Sequence, residues 1–169
     1  MRTPATGVEW PTGRVTCVMV KPGTDRTTVR TLLEESHRVL ATHRRWLSTA
    51  DTRRLYPDAY GAEYLADRDA YLTGGEVSVL ILLTQPGVLA TAKRIKTELR
   101  HRLGCSNPLR NGVHMPDCPG EAYCDIAHLC GADTLVELYE RYDHDHAVDR
   151  LDRYRDLLAP RPSRPGRRR

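Results

Sequence analysis

Phenylalanine is absent from this sequence, and aromatic residues make up only 6% of it. That scarcity indicates no function by itself. Long apolar runs are also missing, and without about 18 consecutive apolar residues a transmembrane helix is not expected. Residues 1–13 lack the apolar core of a secretory signal. We therefore expect a cytoplasmic protein that makes no membrane contact.

Paired cysteines of the C-x-x-C type are absent as well, which argues against a zinc ribbon or knuckle. The five cysteines are an odd number, and without a secretory signal we expect free thiols in a reducing compartment. Cys118, Cys124, His128 and Cys130 lie near one another in the sequence. Only Cys124 and His128, four residues apart, could share a helix face, so we predict no metal site.

Acidic residues are missing from residues 159–169, which carry five arginines. The chain has a formal charge of +4, so subtracting these five charges leaves −1 for the remainder. Proline and arginine at this density are typical of a disordered segment. Such a tail is either a solvated end or a loose contact for RNA, DNA or an acidic partner. We expect a flexible N-terminus over 1–13, one domain over 14–158 and a disordered basic tail over 159–169.

Hydrophobic residues at 40% and charged residues at 28% are ordinary for a soluble globular domain. Periodicity predicts β and α elements in alternation. The strands are expected at 14–20, 37–47 and 77–83, with a loop or short strand over 107–114. The helices are expected at 27–36, within 49–71, and at 88–103, 121–130, 134–142 and 147–158. The run at 77–83 is apolar throughout and is expected to be buried on both faces.

That order of elements predicts an α+β fold: a ferredoxin-like βαββαβ antiparallel sheet covered by helices, with a C-terminal helical extension. With the additional helices set aside, the pattern places the crossing helices on one face of the sheet. No internal repeat is visible.

Three residues suggest phosphate chemistry. Lys21 ends the first strand, His114 lies just before a helix, and Asp125 lies on that helix. Histidine acts as a phosphorus nucleophile when one ring nitrogen is free and a partner holds the other. The alternative is that His114 is a loop residue without a role.

Several motifs resemble the nucleoside diphosphate kinase family. Val18-Met19-Val20-Lys21-Pro22 is similar to the family's opening strand and phosphate-binding lysine, and Asn111-x-x-His114 to its active-site segment, with Asp117 following. Tyr71-Leu72-Thr73-Gly74-Gly75-Glu76-Val77 is similar to the stretch that leads into the central strand. Asp125-Ile126-Ala127 falls where the family has Glu-Ile-Ala. The resemblance covers residues 14–140.

The resemblance implies transfer of a γ-phosphoryl group from a nucleoside triphosphate to His114 Nδ1 and then to an acceptor diphosphate. Asp125 would orient His114, and Mg²⁺ would arrive with the nucleotide. A homo-oligomer built from dimers is implied too. The expected nucleotide- and phosphate-binding residues are Lys21, Tyr56, Tyr64, Lys93 or Arg94, Arg100 or Arg102, and Asn111. The alternative interpretation is that each of these residues is only a solvated cation, a packing residue or a turn former.

The sequence also departs from the family around His114. Met115 and Pro116 replace a small residue and a serine, and proline supplies neither a hydroxyl nor an N–H. Asp125 replaces a glutamate, so we expect it to reach His114 only through water or a shifted helix. The loop before Asn111 is short, and the family's threonine on that loop has no clear match.

Three functions fit these features. The first is a divergent phosphotransferase with His114 as nucleophile. The second is a repurposed enzyme of a dedicated pathway that processes a nucleotide or phosphometabolite, with His114 as an acid, a base or an electrostatic group. The third is a non-catalytic nucleotide-binding protein whose arginine tail docks a partner.

Overall fold

Four strands and six helices form the part of the chain that this computed structural model describes, residues 14–57, 63–84 and 92–142. The strands are β1 (Arg14–Val20), β2 (Arg38–Trp46), β3 (Glu76–Thr84) and β4 (Val113–His114). The helices are α1 (Arg26–Glu34), α2 (Thr49–Leu55), α3 (Leu65–Thr73), α4 (Ala92–Arg102), α5 (Pro119–Cys130) and α6 (Ala132–Tyr142). The expected N-terminal segment, the helix at 147–158 and the basic tail lie outside the described residues.

The four strands form one antiparallel sheet in the order β2-β3-β1-β4. Cys17 of β1 pairs with Ile81 of β3, and Met19 pairs with His114 of β4. Because β3 separates β1 from β2, the first two strands are the two halves of a split βαβ unit. The predicted ferredoxin-like α+β sheet is confirmed.

Alternation along β1 divides the core into two. Cys17 and Met19 face α5 and α6 and belong to one buried cluster. Val18 and Val20 face the other way and pack with α1 and α4. The crossing helices α1 and α4 therefore share one face, as predicted, whereas the additional helices α5 and α6 cover the second. Strand β3 is buried on both faces, also as predicted.

The ends of the described helices show how the chain turns between layers. Asp25 caps α1, and its side chain accepts a hydrogen bond from the Thr27 backbone N–H. Ser48 and Asp51 form a reciprocal capping box at the start of α2. Among residues 14–57, 63–84 and 92–142, no helix has the length and apolar character needed to cross a membrane.

Candidate functional site

Lys21 is fixed where β1 meets the loop before β4. Its backbone N–H donates to the Gly112 carbonyl oxygen at 2.9 Å, and its Nζ donates to Asn111 Oδ1 at 2.7 Å. Gly112 has φ +74, and a Cβ there would come within 2.9 Å of Cys105 Sγ. Glycine is therefore required at this turn, which holds Asn111 against the end of β1.

His114 is oriented by the pairing of β4 with β1. Because side chains alternate along a strand, Val113 and Met115 enter the core under α1 and α4, and His114 turns toward α5. There His114 Nε2 lies 2.8 Å from Asp125 Oδ2, and both side chains are mostly buried. The contact is direct, so Asp125 does not reach His114 through water as one alternative expected, because α5 packs on β1 and brings the shorter side chain into reach.

Met115 is accounted for by the same alternation. It is buried on the α1 and α4 side of the sheet, away from the face that His114 occupies. The large side chain that follows His114 therefore fills core volume and does not occupy the site. Pro116 is also buried.

Tyr56 lies at the centre of the site. Its ring meets the His114 ring edge to face, with 5.1 Å between centroids and an interplanar angle of 71°. Lys21 Nζ and the Arg68 guanidinium carbon lie 5.8 Å and 5.2 Å from the Tyr56 ring centroid. The hydroxyl is buried without a hydrogen-bond partner among the described residues. Burial, followed by the Asp125 carboxylate, raises the pKa of Tyr56.

Two cations of α4 bind the backbone of the segment that carries His114. Arg100 Nη2 donates to the Val113 carbonyl at 3.1 Å, and Lys96 Nζ donates to the Met115 carbonyl at 3.2 Å. Lys96 Nζ also pairs with Asp117 Oδ1 at 2.7 Å. The basic face of α4 therefore holds the backbone immediately before and immediately after His114.

The positive charges lie close enough to affect one another. Burial, followed by the charges of Arg100 and Arg68 and then Lys96, lowers the pKa of Lys21 to about 8. Burial also lowers the pKa of Arg100. Within the described part of the chain, neither Lys21 nor Arg100 has an ion pair with a carboxylate. Such an excess of buried positive charge favours an anionic ligand.

The structure brings together six of the residues singled out from the sequence, namely Lys21, Tyr56, Arg100, Asn111, His114 and Asp125. Arg102 is not among them, because its guanidinium pairs with both carboxylate oxygens of Glu35 at 2.7 and 2.9 Å. Tyr64 precedes α3 with 51% of its surface exposed. The side chains of Lys93 and Arg94 lie outside the described residues.

Sequence reasoning missed Arg68 and assigned no role to Lys96. Arg68 lies three residues after Leu65 and four before Leu72, so it falls on the apolar stripe of α3. A charged residue at an apolar position of a helix was the signal that could have identified it.

His128 belongs to a separate cluster between α5 and α2. Its Nε2 lies 3.2 Å from Asp51 Oδ1, which also pairs with Arg45 at 3.1 Å. Within residues 14–57, 63–84 and 92–142, no three His, Cys, Asp or Glu side chains are arranged to hold a metal ion.

The structure is similar to that of the nucleoside diphosphate kinase of Aquifex aeolicus, with a TM-score of 0.55 and 16% sequence identity. The two proteins share a fold. The superposition covers 69% of this chain and 94% of that one. No family model matches the sequence, and no curated protein matches it.

Proposed function

We propose that this protein is a phosphotransferase that receives the γ-phosphoryl group of a nucleoside triphosphate on His114 and passes it to an acceptor. The observation that carries the proposal is the 2.8 Å contact between His114 Nε2 and Asp125 Oδ2 beside a buried excess of positive charge. A carboxylate at Nε2 accepts a hydrogen bond from the Nε2–H group, which keeps the ring proton there and leaves the lone pair on Nδ1. Nδ1 is then the nucleophile.

The transfer has two balanced halves. In the first, a bond forms between His114 Nδ1 and the γ-phosphorus while the bond from phosphorus to the leaving diphosphate oxygen breaks. In the second, an oxygen of the acceptor attacks the same phosphorus and Nδ1 leaves with its electron pair. Asp125 offsets the positive charge that the ring carries while it is phosphorylated. Because Nδ1 already carries a lone pair, the ring needs no external base in the first half.

Lys21, Arg100 and Asn111 are proposed to hold the phosphate chain. Among the described residues, the ammonium group of Lys21 has one hydrogen-bond partner, the Asn111 amide oxygen, so it retains further donors for phosphate oxygens. With a pKa of about 8, Lys21 is mostly protonated at neutral pH. Cations placed in advance around the transferring group lower the barrier, since they need not reorganise during the reaction.

Mg²⁺ is proposed to enter with the nucleotide, bound by its phosphates. The nearby carboxylates are already engaged, since Asp125 contacts His114 and Asp117 pairs with Lys96. When bound, the ion would neutralise charge on the phosphate chain.

A homo-oligomer built from dimers is part of the same proposal.

The test is a labelling experiment with Mg²⁺ and γ-labelled ATP. We expect an acid-labile, base-stable phosphoryl label on the native protein and none on His114→Ala. The matched control is His101→Ala, which removes an exposed histidine of α4 and should leave the label intact. Nucleotide binding is measured in parallel by calorimetry. Unlabelled native protein that still binds nucleotide would overturn the proposal.

One observation favours the second function, a repurposed enzyme for a nucleotide or phosphometabolite. The two residues that follow His114 are Met115 and Pro116. Both are buried, and neither side chain carries a hydrogen-bond donor for a phosphate. In that case His114 would act as an acid or a base, supported by Asp125. Two results together would select this function. The native protein would bind nucleotide without becoming labelled, and His114→Ala would still bind but would no longer turn over its substrate.

A further inference from the structure

Arg68 is a buried arginine whose hydrogen bonding is incomplete. Only 5% of its surface is exposed. Its Nε and Nη2 donate to Asp69 Oδ1 at 3.0 and 2.7 Å, and the same oxygen accepts from Thr52 Oγ1 at 2.7 Å. Nη1 is buried and has no partner in the described part of the chain. A buried guanidinium N–H without an acceptor is unfavourable, so a bound acceptor would remove that cost.

The position of Arg68 points to the site that contains His114. Its guanidinium carbon lies 5.2 Å from the centre of the Tyr56 ring, and that ring contacts His114. Two further donors in the same region are buried and unpartnered among the described residues, Tyr56 Oη and Arg100 Nε. The charges of both arginines act on Tyr56, so the three donors lie in one region, and together they favour a ligand that is rich in acceptor oxygens.

The local charges indicate the class of ligand. Lys21, Arg68, Lys96 and Arg100 contribute four positive charges. Within the described residues, Asp69 pairs with Arg68 and Asp117 pairs with Lys96. Asp125 contacts His114. Lys21 and Arg100 are therefore the two of these cations without a paired carboxylate in the described part of the chain, which suits an anionic ligand with phosphoryl oxygens.

We propose that Arg68 binds a phosphoryl oxygen of the substrate through Nη1, as a further contact beside those of Lys21, Arg100 and Asn111. Asp69, which also accepts a hydrogen bond from the Thr52 hydroxyl, holds the other edge of the guanidinium, so the free edge is fixed before the ligand arrives. This inference rests on the proposed function, because it concerns the same site, but it requires binding only and no transfer.

Calorimetric titration with imidodiphosphate tests the inference, because its bridging nitrogen resists transfer. Inorganic phosphate serves as the monophosphate probe. The first variant is the double change Arg68→Met with Asp69→Asn, which removes the pair without leaving an unpaired buried carboxylate. We expect imidodiphosphate binding to weaken about 10- to 100-fold, the usual effect of losing a charged hydrogen bond, and phosphate binding to weaken less. Arg30→Met, which removes an exposed arginine of α1, is the control and should bind both probes normally.

A second variant keeps the test decisive if the double variant does not fold. Arg68→Lys retains the charge but loses the planar fork, and we expect it to weaken imidodiphosphate binding several-fold. Native-like binding in a folded double variant or in Arg68→Lys would overturn the inference, as would a wild-type protein that does not bind imidodiphosphate. Arg68-dependent binding without any label from ATP would instead refute phosphotransfer alone. Labelling that is insensitive to Arg68, with normal binding of the probe, would refute the role of Arg68 alone.

Discussion

His114 Nε2 and Asp125 Oδ2 lie 2.8 Å apart, although their residues belong to a strand and to the helix that follows it. The contact selects one tautomer of the imidazole, with the proton on Nε2 and the lone pair on Nδ1. Among the described residues, Nδ1 has no hydrogen-bond partner. The geometry therefore leaves one defined nitrogen available for chemistry.

Asp125→Asn should reduce labelling of the protein by ATP about 10- to 100-fold, the usual effect of losing a partner that orients a histidine. The amide of asparagine can donate to Nε2, which places the ring proton on Nδ1. The initial rate of labelling measures this effect. Asp125→Glu is the matched control because it retains the carboxylate, and we expect it to label faster than Asp125→Asn. Equal rates for the two variants would contradict the tautomer argument.

Lys21→Met should make the ligand-free protein more stable at pH 7. The folded-state pKa of Lys21 is about 8, below its ordinary value of 10.5, so folding favours the neutral amine. Below pH 8 both the folded and the unfolded chain carry the proton, and the full penalty of burying the charge is present. Between pH 8 and 10.5 the unfolded state binds more protons, so wild-type stability rises with pH in that window.

Urea denaturation at pH 7 and pH 10 measures this effect. At pH 7 we expect the free energy of unfolding of Lys21→Met to exceed that of the wild type by about 1–3 kcal/mol, less whatever the lost Asn111 bond contributed. The gain should shrink at pH 10. A variant that is less stable than the wild type at both pH values would show that Lys21 stabilises the fold.

Tyr56→Phe should raise the stability of the ligand-free protein and lower its affinity for nucleotide. The Tyr56 hydroxyl is buried without a partner among the described residues, so its removal should stabilise the ligand-free protein by about 1 kcal/mol. If the hydroxyl donates to the phosphate chain, nucleotide affinity falls in the same variant. Thermal unfolding with and without nucleotide measures both changes. A lower melting temperature without ligand would indicate that the hydroxyl has a partner in the folded protein.

Arg100→Met and Arg102→Met should differ sharply in nucleotide binding. Arg100 lies beside Lys21 and bonds the carbonyl before His114, whereas Arg102 pairs with Glu35 of the turn after α1. We expect about a 10-fold or greater loss of affinity for Arg100→Met, and a change of less than about twofold for Arg102→Met, whose ion pair is exposed. Calorimetric titration with a nucleoside diphosphate distinguishes them. A larger loss for Arg102→Met would reverse the assignment.

Local pattern was enough to predict the sheet. The alternation and apolar run of β1 and β3 do not depend on distant parts of the chain, and the breaks at Pro22-Gly23 and Gly74-Gly75 mark where elements end. Strand β4 was predicted only as a loop or short strand, because two residues carry no periodic signal. Its partner β1, more than 90 residues earlier, decides that it is a strand at all.

Sequence alone determined the order of the elements and the candidate site residues Lys21, Asn111 and His114, since each lies at an element boundary or in a motif. Only the tertiary structure decided which side chains meet. It brought Asp125 within hydrogen-bond distance of His114, turned Met115 into the core and placed Arg68 against Tyr56. These outcomes depend on how helices pack across the sheet, and a shift of one ångström in that packing makes or breaks a hydrogen bond. The spacing of residues along the chain does not determine that distance.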